Sequence, residues 1–235
     1  MSGNHLGLAV GLPFCGRPVS PWWAVSLASM DWPMGIDVNY TIVEGMEVGE
    51  ARCRIAEEAM RGNYKYIWFV DDDTAPPRHA AKRLMTVLQQ DESVAVCGGI
   101  YCTKCDDPEP IVQKKLRDGV FWNWKPGEIF DCEGLGTGCM MIRVDALKRI
   151  ERPWFKTVDT LDYGQGEYKQ TDDLYFCKKI LDAGMRIVAH GGVLPLHWQA
   201  DKRTSYRVSE TTKPDGRLEM IVFESASHQA RGVYA

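Results

Sequence analysis

The chain has 235 residues, 28 basic and 32 acidic, with a net charge of −4 at pH 7 and 45% hydrophobic, 26% charged and 10% aromatic residues. At about 150 residues per domain this favours one domain spanning 1–235, large enough to bury a core without covalent staples. The balance excludes disorder, collagen and coiled coil, and without a basic excess it excludes generic nucleic-acid binding.

Residues 6–13 (LGLAVGLP) form a continuous apolar run, as a strand buried on both faces does. His5 is the single potentially basic side chain before residues 6–14 and no small-residue cleavage site follows, so the start lacks the shape of a signal peptide. No apolar run anywhere approaches the ~20 residues of a membrane helix. The expectation is a cytoplasmic protein without a transmembrane segment, its eight cysteines present as thiols. Residues 20–30 fit a helix, and 37–43 (DVNYTIV) alternate like a second strand. Residues 49–61 (GEARCRIAEEAMR) have helical periodicity, with Gly62 as the stop. Residues 66–70 (YIWFV) carry the strongest central-strand signal. A proline opens the next helix at 77–90, and 94–101 reads as another strand. Such alternation predicts a parallel α/β sheet, whose ligands bind beyond the carboxyl ends of the strands.

The second half is less regular. Residues 102–127 are polar and read as loop, 128–132 and 139–143 as strands, and 144–151 as a short helix. Residues 171–183 (TDDLYFCKKILDA) predict a helix with Thr171 as N-cap, two aspartates in its first turn and Gly184 beyond its end. A strand at 185–188, a polar loop at 199–217 and a last strand at 218–224 complete the series. No internal repeat or low-complexity segment interrupts it.

Asp71, Asp72 and Asp73 directly follow YIWFV, where a sheet of this kind places its ligand. Three adjacent carboxylates repel one another and call for a positive charge among them. Their hard oxygens suit Mg²⁺ or Mn²⁺, above all when a diphosphate adds further oxygens. A solvated acidic turn is the simpler alternative.

The stretch YKYIWFVDDDTAPP resembles the strand and DxD motif of GT-A-fold glycosyltransferases, particularly the large family-two-like group. LAVGLPFCGRPVSPWWAVSL is similar to that group's first strand, nucleotide-facing loop and following helix. EGLGTGCMMIRVDALKRIERPWF resembles its glycine-rich segment, and TDDLYFCKKILDAGMRIVAHGGVLPLHW its late acidic helix, next strand and terminal histidine. The four blocks run in order over about residues 6–200. The resemblance implies an α/β fold, the Rossmann-like GT-A sheet flanked by helices. It also implies a nucleotide-binding half at 6–100, an acceptor and catalytic half at 101–200, and a loop and tail at 201–235. The implied reaction is metal-dependent, inverting transfer of a sugar from a nucleoside diphosphate sugar, UDP by default, to an acceptor hydroxyl.

Residue roles follow from the same resemblance. Asp71 would face the ribose, through the metal's water, and Asp73 would ligate Mn²⁺ or Mg²⁺, with Mn²⁺ favoured. That ion would bridge the two phosphates and stabilise the departing diphosphate as a Lewis acid. Asp72 fills the variable position. Pro13, Phe14 and Cys15 lie where the first loop touches the base, and Glu44 stands where the family usually has Asp. Arg52 resembles the basic residue on the helix before the DxD strand. Gly136 and Gly138 border the donor sugar. Asp173 would be the catalytic base that takes the acceptor's proton, and Asp172 stands where the family usually has Glu. For both, helix capping is the alternative. His197 would close the metal site with Asp73, and His190 is the next candidate.

Cys102 and Cys105 have zinc spacing, with Cys97, Cys132 and Cys139 as potential further ligands, but no second C-x-x-C pair exists. Trp122, Trp124 and Trp154 flank the glycine-rich segment and either line the acceptor groove or pack in the core. Two rival functions are a nucleotidyltransferase and an inactive nucleotide-sugar-binding protein. The first usually needs a basic, glycine-rich triphosphate loop near its start, and GLPFCGRP has a single Arg. The acceptor loops are the least patterned part of the chain, so a saccharide, a protein, a metabolite or a modified nucleobase remains open.

Overall fold

The computed structural model describes residues 7–162, 166–214 and 216–224. Leu6, the first residue of the predicted first strand, and residues 215 and 225–235 of the predicted loop and tail lie outside them. The first half follows the predicted alternation. Strand β1 (Gly7–Phe14) leads to helix α1 (Pro21–Ala28), β2 (Asp37–Glu44), α2 (Val48–Arg61) and β3 (Tyr66–Val70). A two-residue β4 (Thr74–Ala75), α3 (Ala80–Gln90) and β5 (Val94–Gly99) follow. Local chemistry sets the helix starts. Ser20 accepts the Trp22 amide with Pro21 in the first turn, and Glu47 accepts the Glu50 amide. The prolines before α3 form a turn rather than its first residue; the helix begins at Ala80, whose amide bonds Pro77.

Beyond β5 come β6 (Val112–Gln113), β7 (Ile129–Cys132), β8 (Gly134–Leu135), β9 (Cys139–Arg143) and α4 (Val144–Leu147), which is shorter than predicted. The β10 (Val158–Asp162) and β11 (Gly166–Gln170) hairpin precedes α5 (Asp172–Asp182) and β12 (Arg186–His190). The predicted loop at 199–217 is overturned. Strands β13 (Leu196–Gln199), β14 (Thr204–Thr212) and β15 (Leu218–Glu224) form a second, antiparallel sheet in the order β15-β14-β13-β4. The buried residues of β14 mix Thr204, Ser205 and Ser209 with Tyr206 and Val208, so no apolar run announces it.

The main sheet has the order β2-β1-β3-β9-β5-β12-β7. It is not wholly parallel: β9 runs antiparallel between β3 and β5, and β7 antiparallel beside β12. Helices cover both faces, and alternating residues of the central strands feed two cores. Ile67 and Phe69 of β3 pack with Ile55 of α2 and Phe176 of α5. Tyr66, Trp68 and Val70 pack on the opposite side with Trp23 of α1 and Leu84 of α3. Each such side chain contributes roughly 1.5–3 kcal/mol on burial, and together they fix the register of β3. The strand therefore delivers Asp71 to the carboxyl edge of the sheet. No described helix is long and apolar enough to cross a membrane.

Candidate functional site

Five segments meet at that edge: the turn after β3, the loops after β1 and β5, the start of α5, and β13. The turn is set by the backbone. The Asp71 amide bonds Gly138 O on β9's approach, Thr74 N bonds Asp71 O, and the Trp23 indole reaches Asp71 O at 2.8 Å. Each of the three aspartates then has a different partner.

Asp71 faces inward. Arg52 of α2 grips both its oxygens through Nη2, at 2.7 and 2.8 Å. The other guanidinium nitrogen, Nη1, bonds Asp172 at the start of α5. Arg52 is 3% exposed, and its Nε is buried without a partner. Its two carboxylate neighbours raise its pKa against the cost of burial. Burial pushes the Asp71 carboxyl up, opposed by Arg52 and assisted by Asp73. Arg52 thus ties the two acidic segments into one unit. Asp172, also buried, is turned to this cation.

Asp72 is not a mere added charge. It is buried, accepts both the amide and the thiol of Cys15 at 3.1 Å, and pairs with Arg17 at 3.3 Å. It therefore latches the loop after β1 onto the acidic turn. Pro13 and Phe14 end β1, and Glu44 lies exposed as the register partner of Phe14 on the same rim. The Phe14 ring packs edge-on against Trp23, with centroids 5.4 Å apart.

Asp73 gathers three positive or potentially positive groups. Lys104 reaches Oδ2 at 2.5 Å, Arg17 the same oxygen at 3.2 Å, and His197 Nε2 lies 3.5 Å from Oδ1. Burial raises the Asp73 carboxyl, but His197 and Lys104 outweigh it and hold it well below the usual range. The second sheet brings His197 here, because β13 pairs with β4 so that His197 stands opposite Thr74 and the Trp198 amide bonds Asp73 O. His197 Nδ1 lies 2.7 Å from Cys102 O. A carbonyl only accepts, so Nδ1 carries a proton and Nε2 is the nitrogen that faces Asp73.

Asp173, one residue past the Arg52 partner, accepts at Oδ1 from Thr171 Oγ1 and from the Leu174 amide. Thr171 is thus the N-cap by position, but its side chain serves Asp173 rather than the helix backbone. Burial pushes the Asp173 carboxyl up, with Asp172 assisting and the Thr171 bond opposing.

Gly136 and Gly138 answer to Tyr101. A Cβ on Gly136 would come within 2.4 Å of the Tyr101 hydroxyl, and one on Gly138 within 2.8 Å of that hydroxyl and of Thr74 Oγ1. The Gly138 amide donates to the same hydroxyl at 2.9 Å, and the ring stands edge-on to His197 with centroids 4.9 Å apart. The glycines therefore admit a buried tyrosine that braces His197.

Other expected site residues lie elsewhere. Trp124 and Trp154 are core residues, the latter bonding Leu147 O, so neither lines a groove. Trp122 is half-buried beneath Arg217. His190 accepts from the Gly192 amide at the end of β12, and burial with the Arg83 charge lowers its pKa to about 4. Among the described residues no three His, Cys, Asp or Glu side chains gather as a metal site, so Asp71, Asp73 and His197 do not form the expected trio. All eight cysteines are free, burial pushes the Cys102 and Cys139 thiols up to about 12, and no group of three candidate metal ligands forms among the described residues. Sequence reasoning missed Arg17, Lys104 and Tyr101, whose residue types carry no spacing signal. Three surface concavities lie elsewhere, and none is lined by these acidic residues or His197.

Residues 49–151 match the family described as Glycosyl transferase family 2. The match spans Arg52, Asp71–Asp73, Gly136 and Gly138, less than half of the chain, and stops before Asp172, Asp173 and His197. Among solved structures the chain is similar to A197 from STIV, with 18% identity, 90% of this chain and 92% of that chain covered, and a TM-score of 0.58; that likeness is one of fold. It is also similar to S. aureus TarS, with 13% identity, 77% of this chain and 34% of that chain covered, and a TM-score of 0.48. No curated protein matches it significantly.

Proposed function

From the match of residues 49–151 to Glycosyl transferase family 2, we propose that the chain is a GT-A-fold glycosyltransferase that transfers a sugar from a nucleoside diphosphate sugar, UDP by default, to an acceptor hydroxyl with inversion. One observation carries this reading. Two acidic segments far apart in the chain close on Arg52 at the carboxyl edge of the sheet, while Asp73 and Nε2 of His197 stand 3.5 Å apart beside them.

That donor pair fits a divalent ion. A nitrogen and a carboxylate oxygen at this separation resemble neighbouring ligands each ~2.1 Å from one centre, and the nitrogen favours Mn²⁺ over Mg²⁺. The remaining positions would fall to the donor's phosphates. Once bound, the ion supplies Lewis-acid stabilisation of the departing diphosphate. Asp73 and His197 Nε2 would hold it, with the Cys102 carbonyl orienting the ring.

Asp173 takes the acceptor's proton. Its raised pKa makes it a stronger base, and the bonds on Oδ1 direct the proton to Oδ2. Arg52 holds Asp71 at the nucleotide side and Asp172 at the acceptor side, so donor and base keep a fixed separation. Phe14, Cys15 and Glu44 border the base, and Gly136 and Gly138 the sugar. The eight thiols suit a reducing compartment, and the cytoplasm is the proposed location.

The purified protein, incubated with a panel of nucleotide sugars and Mn²⁺ without acceptor, is expected to release nucleoside diphosphate slowly from one of them. Asp73→Ala should abolish the release while thermal unfolding stays cooperative. Full release in EDTA would overturn the metal's role. Binding without release for every donor would leave a nucleotide-sugar-binding protein.

A further inference from the structure

Building on the proposed metal-dependent transfer, we propose that Lys104 and Arg17 bind the donor's diphosphate, and that their ion pairs with Asp73 make metal and nucleotide binding mutually dependent. The two cations come from opposite flanks of the acidic turn. Arg17 lies on the loop after β1 and Lys104 on the loop after β5, two strands separated in the sheet by β3 and β9. Both reach one atom, Asp73 Oδ2. Their positive heads therefore lie within a few ångströms of each other, beside the pair of atoms that would hold the ion.

Arg17 is well placed for an exchange of partners. Its side chain is 53% exposed, and it touches Asp72 and Asp73 through a single nitrogen. Lys104 sits on a tethered loop: the Thr103 amide bonds Glu109 O, the Glu109 amide bonds Thr103 Oγ1, and Cys102 O holds His197. The ammonium is thus the mobile end of an anchored arm, delivered beside the metal-ligating histidine.

The coupling follows from charge. A divalent ion and the two side-chain cations compete for the same carboxylate, so metal binding without an anion is opposed. Five carboxylates, Asp71 to Asp73 with Asp172 and Asp173, face three permanent cations, Arg17, Arg52 and Lys104. The two negative charges left over equal the charge of one divalent ion. A diphosphate arriving with that ion gives Lys104 and Arg17 new anionic partners, and a guanidinium with an ammonium is the usual pair for phosphate oxygens. Each ligand then favours the other, by linkage.

The test uses Mn²⁺ alone and then UDP. Free Mn²⁺ is followed by electron paramagnetic resonance during titration of the full chain, and UDP binding at saturating Mn²⁺ by calorimetry. Lys104→Ala is expected to bind Mn²⁺ alone several-fold tighter and UDP about tenfold weaker, a typical coupling factor. Lys104→Arg should restore both constants to near wild type, and Arg17→Ala should shift both in the direction of Lys104→Ala. Thermal unfolding of each variant confirms the fold. If wild type binds Mn²⁺ and UDP but Lys104→Ala matches it, or weakens Mn²⁺ alone, this proposal fails and the transfer reading stands. If wild type binds no Mn²⁺ with or without UDP, both fail.

Discussion

Replacing Arg52 by methionine keeps much of the side chain's bulk but removes the charge that two carboxylates share. Asp71 and Asp172 are 22% and 9% exposed as side chains, so neither regains full hydration. Removing one partner of a buried pair typically costs about 3–5 kcal/mol, because the other charge is left uncompensated. Against a total stability of about 5–15 kcal/mol that is a large fraction. For a chain of this length it corresponds to a fall in Tm of roughly 6–20 °C. The sign with pH is set by the orphaned acids. Burial already raises the Asp71 carboxyl against Arg52, so without Arg52 its folded value moves further above the unfolded one near 4, and the penalty is complete at neutral pH and shrinks as pH falls through the raised value. The gap in Tm between wild type and Arg52→Met should therefore be widest at pH 7.5 and narrower at pH 5. Adding Asp172→Leu to Arg52→Met should recover part of the loss. Urea unfolding at both pH values, followed by tryptophan fluorescence, measures this. An Arg52→Met variant within 1 kcal/mol of wild type at pH 7.5 would refute the shared-cation account.

Gly138→Ala should cost about 1–3 kcal/mol, because its methyl would sit 2.8 Å from Tyr101 and Thr74 oxygens; an unchanged urea midpoint would mean that the turn relaxes freely. Asp173→Asn should lower kcat by at least about a hundredfold with little change in donor KM, the usual scale for a lost general base; near-wild-type turnover would reject the assignment. His190 has a folded pKa of about 4, below its ordinary 6.5, so the unfolded chain takes up its proton first as pH falls. Wild type should lose stability between about pH 6.5 and 4, and His190→Gln should lose less across that window; parallel curves would place the acid sensitivity elsewhere. A zinc chelator should leave Tm unmoved, since among the described residues no three candidate ligands gather; a clear drop would revive a structural zinc.

The layers of the molecule were legible in the sequence. The apolar run at 66–70, the alternation at 37–43 and the periodicity at 49–61 each encode an environment through spacing, which is a local property. The same runs placed three aspartates at a strand's carboxyl end, where α/β sheets hold ligands. Strand direction was not legible. The antiparallel insertion of β9 depends on how the chain returns through 102–138, and its buried residues look the same in either direction. The second sheet was missed because the buried residues of β14 include Thr204, Ser205 and Ser209, which give no apolar signal. Within the site, local sequence named the acidic residues and His197 and left their partners unstated. Arg52 joining Asp71 to Asp172, Lys104 and Arg17 meeting on Asp73, and Tyr101 filling the space left by Gly136 and Gly138 are contacts across separate loops. Such pairings arise from sheet order and register, which fix distances between residues remote in the chain, so the sequence specified the carboxylates and only the tertiary structure assigned each its counter-charge.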